Sequence, residues 1–152
     1  MGQKTTVMSS YLNTVCPHCG ARNRLTLPIV PTNLPHCNKC RKRLVTDRAL
    51  AVDDDRLRRF LRQDELPLLI DFWAPGCAPC KMMMPLLDQA AKKYATSLRV
   101  LKVNTAEFPA TIKTHRLRAV PTLILVRKGR ELDRVTGAMD GARLMRWIDK
   151  TT

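Results

Sequence analysis

All six cysteines of this chain fall into C-x-x-C pairs, Cys16/Cys19, Cys37/Cys40 and Cys77/Cys80. The same spacing serves a metal clamp or a redox catalyst, and the two jobs need different neighbours. Cys19 and Cys37 are separated by seventeen residues, within the interval of about 15–20 that lets two thiolate-bearing turns close one tetrahedral zinc site. Pro17 presets the backbone of the first turn, and Gly20 permits a left-handed exit from it. The segment before Asp47 is rich in prolines and turn residues and holds few apolar residues. A module that small needs a staple, because it cannot bury enough apolar surface to fold alone. Two internal disulfides or a second redox centre are the competing readings of these pairs. His18 and His36 could each replace a thiolate, but four cysteines already complete the ligand set, and a closed set argues for structural zinc.

Charge divides the chain at the same place. The net charge is +14, and residues 1–46 carry seven Lys or Arg with no acid at all. Four thiolates around Zn²⁺ leave a local charge of about −2, for which Arg22, Arg41, Lys42 and Arg43 are a counterweight. The same excess favours acidic partners. From Asp47 onward, periodic segments appear. "DDDRLRRFLRQD" reads as a helix with Asp53 as N-cap and Leu57, Phe60 and Leu61 inward, closing before Pro67. "PLLIDFWA" reads as a buried strand, 77–94 as a helix, "LRVLKVN" as a strand and 108–115 as a short helix. "PTLILVRKGRELDRVTG" gives two strands joined at Lys128-Gly129, and "DGARLMRWIDK" a closing amphipathic helix with Leu144, Trp147 and Ile148 inward. The expectation is a flexible tail over 1–12, a zinc-binding ribbon over 13–46 and an α/β domain with a central sheet over 47–152. No apolar run is long enough for a bilayer and the start lacks a secretory pattern. Together with cysteines suited to a reducing compartment, this points to the cytoplasm and away from membranes.

The third pair has other surroundings. "IDFWAPGCAPC" follows a buried strand and opens a helix, so Cys77 meets unpaired amides and the positive end of a helix dipole, which stabilise a thiolate. Cys77 is then the nucleophile that attacks a disulfide sulfur, and Cys80, shielded one turn on, resolves the mixed disulfide. Ala78 and Pro79 make a stiff spacer. Asp71, a lone carboxylate in an apolar strand, should have a raised pKa suited to proton transfer near neutrality.

These residues carry a resemblance. "DFWAPGCAPCK", "KVN", "VPT" and the glycine of "TGA" agree in order and spacing with the thioredoxin family over residues 48–152, and nearly the whole chain resembles its thioredoxin-2 type with an N-terminal zinc ribbon. The resemblance implies a thioredoxin fold, a mixed sheet flanked by helices, and reduction of protein disulfides with no bound organic cofactor. Electrons would come from NADPH through a thioredoxin reductase. It implies that Asp71 accepts the Cys80 proton through water, with Lys102 as its basic partner. It also implies a cis Pro121 facing the dithiol, Val120 offering backbone to an extended substrate, Trp73 beside the active-site loop, and Gly137 in the substrate groove. Pro85 should kink the helix, and Met82, Met83 and Met84 read as helix packing with some adaptable surface. The chain departs from the pattern at Gly76, where tryptophan is usual, at Ala78, and at Arg116 and Ala119, where glycines are usual.

A protein-disulfide reductase is the leading function. Its partners would be the reductase and disulfide-containing proteins, acidic ones among them. The competing classes are a zinc-ribbon binding module on an inert scaffold, or a redox-sensing chaperone, either recruiting acidic protein or nucleic acid. The expected ribbon lacks stacking aromatics, although Tyr11 lies nearby, which argues against sequence reading of nucleic acid.

Overall fold

The computed structural model describes residues 10–152. Most of the expected tail, residues 1–9, lies outside the described residues, while Tyr11 and Leu12 open a strand. In the N-terminal module, β1 (Tyr11–Val15) and β2 (Arg22–Thr26) pair antiparallel, with Val15 opposite Arg22. Neither strand is legible from hydrophobic pattern. The two buried positions of β2 are Asn23 and Leu25, and one of them is polar.

The larger unit runs β3 (Leu50–Ala51), α1 (Asp54–Gln63), β4 (Leu68–Trp73), α2 (Ala78–Lys93), β5 (Arg99–Asn104), α3 (Ala110–Thr114), β6 (Thr122–Arg127), β7 (Arg130–Thr136) and α4 (Gly141–Thr151). Its sheet has the order β3-β5-β4-β6-β7, parallel on the β3-β5-β4 side and antiparallel at β6 and β7. This is the expected mixed sheet flanked by helices. β4 sits at its centre and is buried on both faces, hence its nearly unbroken apolar run. Side chains alternate across the strand. Leu69 packs with Met83 and Leu87 of α2 and Leu144 and Ile148 of α4. Leu68, Ile70 and Phe72 pack on the other face with Leu57 and Phe60 of α1. The same alternation places Asp71 on the α2 face.

Helix starts follow the sequence signals. Asp53 caps α1 by accepting from the Arg56 N–H at 2.6 Å, and Asp140 caps α4 by accepting from Arg143 N–H at 2.8 Å. Pro85 lies inside α2 without ending it. Lys128 and Gly129 both take positive φ, 50° and 76°, as the tight hairpin between β6 and β7 requires.

The N-terminal module has a small apolar cluster of its own, Cys16, Leu25, Cys37 and Leu44, but it borrows Leu66 from the larger unit. Val15 in turn enters the larger unit's core. Between them lies a buried polar knot. Asp64, just past α1, accepts from the Thr14 hydroxyl at 2.9 Å, Val15 N–H at 3.1 Å and Arg99 Nε at 3.2 Å. Arg99 Nη2 donates to Thr14 Oγ1 at 2.8 Å, and Leu66 N–H donates to the other Asp64 oxygen at 2.9 Å. Thr14, Asp64 and Arg99 are all at most 2% exposed. A buried ion pair adds little over an apolar pair of the same shape, but removing one partner strands the other. Asp64→Ala should therefore lower unfolding free energy by about 3 kcal/mol. Asp64→Leu combined with Arg99→Met should cost less than that single change. Urea denaturation measures both, and a loss below about 1 kcal/mol for Asp64→Ala would reject the knot as a structural tie.

Candidate active site and metal centre

The two N-terminal C-x-x-C turns are built alike. In the first, Cys16 N–H donates to Ala21 O at 2.8 Å and Gly20 N–H to Cys16 O at 2.9 Å. In the second, Cys37 N–H donates to Lys42 O at 2.8 Å and Arg41 N–H to Cys37 O at 2.9 Å. Each turn leaves through a left-handed residue, Gly20 at φ 78° and Arg41 at φ 68°. At the first, a side chain would also press on the movable end of Arg59. A Cβ there would meet Arg59 Nη1 at 2.6 Å, and that same guanidinium donates to Gly20 O at 3.0 Å. Arg56 holds Pro17 O in the same way at 3.2 Å, so α1 grips the first turn twice.

The four sulfurs of Cys16, Cys19, Cys37 and Cys40 lie within 4.8 Å of one another. Cys16 and Cys40 approach to 3.6 Å, as do Cys19 and Cys37. A regular tetrahedron of thiolates about 2.3 Å from zinc has edges near this length. Amides point at the sulfurs. Cys16 Sγ accepts from His18 and Cys19 N–H at 3.4 and 3.5 Å, and Cys37 Sγ accepts from Lys39 N–H and Asn23 Nδ2, both at 3.3 Å. Burial pushes the Cys37 thiol up, but N–H donors from Cys40, Asn23 and Lys39 bring it down to about 6. The donor set therefore fits a metal that takes thiolates. Asn23, buried and bonded to the second turn through Cys37 Sγ and Asn38 N–H, is a contributor that no motif announces.

The third pair sits at the start of α2. Cys77 is the N-cap, and its sulfur accepts from Cys80 N–H at 3.2 Å. Cys77 and Cys80 are joined as a disulfide, with Cys77 partly exposed and Cys80 fully buried. Cys77 Sγ lies 3.8 Å from the Val120 carbonyl oxygen, across the cis Val120–Pro121 bond. Gly137 N–H donates to Pro121 O at 2.8 Å, which brings Gly137 to the same groove. Gly76 has φ 76° and nothing within 4 Å of a Cβ placed there, so the flank of Cys77 is open where the family usually has an indole. Trp73 closes β4 beside the loop and anchors Thr105 through its carbonyl.

Asp71 is fully buried, and neither carboxylate oxygen has a hydrogen-bond partner among the described residues. Burial pushes its pKa up to about 7, and the positive charge of Lys102 offsets only part of that. Lys102 is its register neighbour on β5, and alternation puts both side chains on one sheet face. Lys102 is only half-buried and borders a cavity of about 310 Å³ shared with Trp73, Glu107 and Phe108. Lys102 thus reaches Asp71 through its field and makes no direct hydrogen bond.

A model of the thioredoxin family matches residues 48–150. The chain is 37% identical over 102 residues to "Thioredoxin 1" of Synechococcus elongatus, covering 67% of this chain and 95% of that protein. It is 33% identical over 136 residues to "Thioredoxin C-3" of Corynebacterium nephridii, covering 90% and 92%. That alignment is too long to be held by the sheet domain alone, so it takes in part of the N-terminal module. Among solved structures, a mutant thioredoxin from Halobacterium salinarum superposes with a TM-score of 0.63 at 31% identity, covering 70% of this chain and 92% of that one.

Proposed function

The chain belongs to the thioredoxin family and is a thiol–disulfide oxidoreductase, and from that premise we propose that it reduces protein disulfides as a thioredoxin-2-type protein. On this reading 13–46 is the zinc ribbon and 47–152 the thioredoxin domain. The observation that carries it is the placement of Cys77 as the partly exposed N-cap of α2, with a buried Cys80 one turn on and the orphaned Asp71 on the face α2 covers. The Cys77 thiolate attacks one sulfur of a substrate disulfide, and the other sulfur leaves as a thiolate and takes a proton. Cys80 gives its proton to Asp71, attacks Cys77 Sγ and releases the second substrate thiol. Two electrons have then left the dithiol, and the product is the Cys77–Cys80 disulfide. A thioredoxin reductase returns those electrons from NADPH. Val120, Gly76 and Gly137 line the substrate path, with Trp73 behind them.

Among the described residues no helix is long and apolar enough to cross a membrane, and reduced zinc thiolates suit a cytoplasmic setting. An inert scaffold carrying a binding ribbon is disfavoured by the intact dithiol. The test is NADPH oxidation in the presence of a thioredoxin reductase and a protein with interchain disulfides. Turnover that depends on all three supports the proposal, and none at micromolar chain rejects it. Repeating the assay at two ionic strengths reads partner charge. The rate for an acidic substrate should fall with salt and that for a neutral one should not.

Zinc bound by Cys16, Cys19, Cys37 and Cys40 would cross-link the two turns and supply no electrons. The reduced protein should carry one zinc per chain, and a Cys16→Ser/Cys37→Ser variant should carry none while still reducing a small disulfide. Metal analysis that finds full zinc in that variant would remove the ribbon assignment.

A further inference from the structure

Arg134 of β7 occupies a position that the reaction above does not use. Glu131 holds its guanidinium in a fork, with Nε to Oε2 at 2.9 Å and Nη2 to Oε1 at 2.6 Å. The remaining nitrogen, Nη1, donates to the Arg116 carbonyl at 3.3 Å. Arg116 is a non-glycine residue with φ 53°, a left-handed conformation that a Cβ disfavours. Its two neighbours are pinned. The His115 ring packs 5.0 Å from that of Phe72, and Leu117 is buried in the core on the α1 side of the sheet. On the helix side the turn is already closed by backbone, with Arg116 N–H donating to Lys113 O at 3.2 Å and Leu117 N–H to Ile112 O at 2.9 Å. What Arg134 adds is its hold on the Arg116 carbonyl at the start of the loop that follows. That loop is short. Ala119 O accepts from Thr122 Oγ1 at 2.6 Å, and Val120 presents its carbonyl 3.8 Å from Cys77 Sγ.

We propose that Arg134, oriented by Glu131, is a positioning residue that holds the Arg116 carbonyl and so keeps the 116–120 loop shaped to present Val120 backbone to an extended protein substrate. This rests on the disulfide-reductase reading. An exposed ion pair between Arg134 and Glu131 would by itself contribute little; its consequence comes from the left-handed residue it restrains. A glycine at 116 would take the same φ freely and would need no restraint. The brace and the residue it restrains should therefore be energetically coupled.

The experiment is a double-mutant cycle on reduced full-length chain, with Arg134→Ala and Arg116→Gly alone and together. Second-order rates are measured with a protein bearing interchain disulfides and with hydroxyethyl disulfide. Arg134→Ala should slow the protein substrate about fivefold, the scale of one left-handed non-glycine residue, and leave the small disulfide unchanged. In the Arg116→Gly background the same change should have an effect of less than about twofold. Equal slowing of both substrates, an equal loss in both backgrounds, or no loss for the protein substrate would each overturn the proposal. A parent chain that reduces neither substrate would instead overturn the reductase reading, and the brace with it.

Discussion

Cys77→Ser is expected to bring protein-disulfide turnover down to background, a loss of at least about 10³, because no other thiol is placed to begin the exchange. Cys80 has the right chemistry but is fully buried, and Cys16, Cys19, Cys37 and Cys40 are drawn together at another site. Cys80→Ser should behave differently. Cys77 would still attack, but the mixed disulfide could not be resolved, so substrates should accumulate covalently attached to the chain. Alkylation of the reduced wild-type protein adds an independent check. Cys77 is partly exposed and its sulfur accepts an amide at the start of α2, so it should label much faster than Cys80 at neutral pH. Mass spectrometry that finds equal labelling of both sulfurs, or trapping by the Cys77→Ser variant, would reverse the assignment of roles.

Asp71→Asn is expected to stabilise the fold at alkaline pH by about 4 kcal/mol and to slow the second half of the reaction. In the folded chain burial lifts the Asp71 pKa to about 7, well above its ordinary value of 3.8. Between those two pH values the folded chain keeps a proton that the unfolded chain has released, so stability falls as the pH rises. Below about pH 4 both states are protonated and the penalty is absent; above about pH 7 both are ionised and it is complete. Asparagine has no charge to desolvate, so the gap between variant and wild type should open across that window and then level off. Denaturant unfolding at several pH values measures the gap. Stopped-flow kinetics should show the initial attack by Cys77 little changed and resolution by Cys80 slowed. A gap that is flat with pH would mean that Asp71 ionises alike in the folded and unfolded chains, so that burial does not raise its pKa. An impaired first step with an untouched second would place the carboxylate with Cys77 instead.

The sequence was most legible where a single local feature forces a single outcome. "DDDRLRRF" has one apolar face with Asp53 as the candidate cap, and Leu57 and Phe60 are buried behind Asp53 as that pattern requires. "LLIDFW" reads as a buried strand, and its lone carboxylate is buried with it. The long-range terms were not legible. Asp64 and Arg99 are 35 residues apart and belong to no motif, yet they meet in the tie between the two modules. Asn23 looks like a turn residue but reaches the Cys37 sulfur. The expectation that the segment before Asp47 has too few apolar residues for a core was incomplete, since it has a small one closed by Leu66.

Cysteine spacing, apolar periodicity and capping residues by themselves determined that the chain holds a four-cysteine cluster ahead of a mixed α/β domain with a dithiol at a helix start. They could do so because each is a short-range constraint, set by backbone geometry over a few residues. Tertiary structure alone decided how the N-terminal module docks on α1, why Asp71 has no hydrogen-bond partner among the described residues while Lys102 acts on it only through its field, and how Arg134 comes to hold the Arg116 carbonyl. Those outcomes depend on which side chains the sheet brings together from distant positions. A buried charge or a restrained carbonyl has an energy set by its neighbours in space, and no local pattern encodes them.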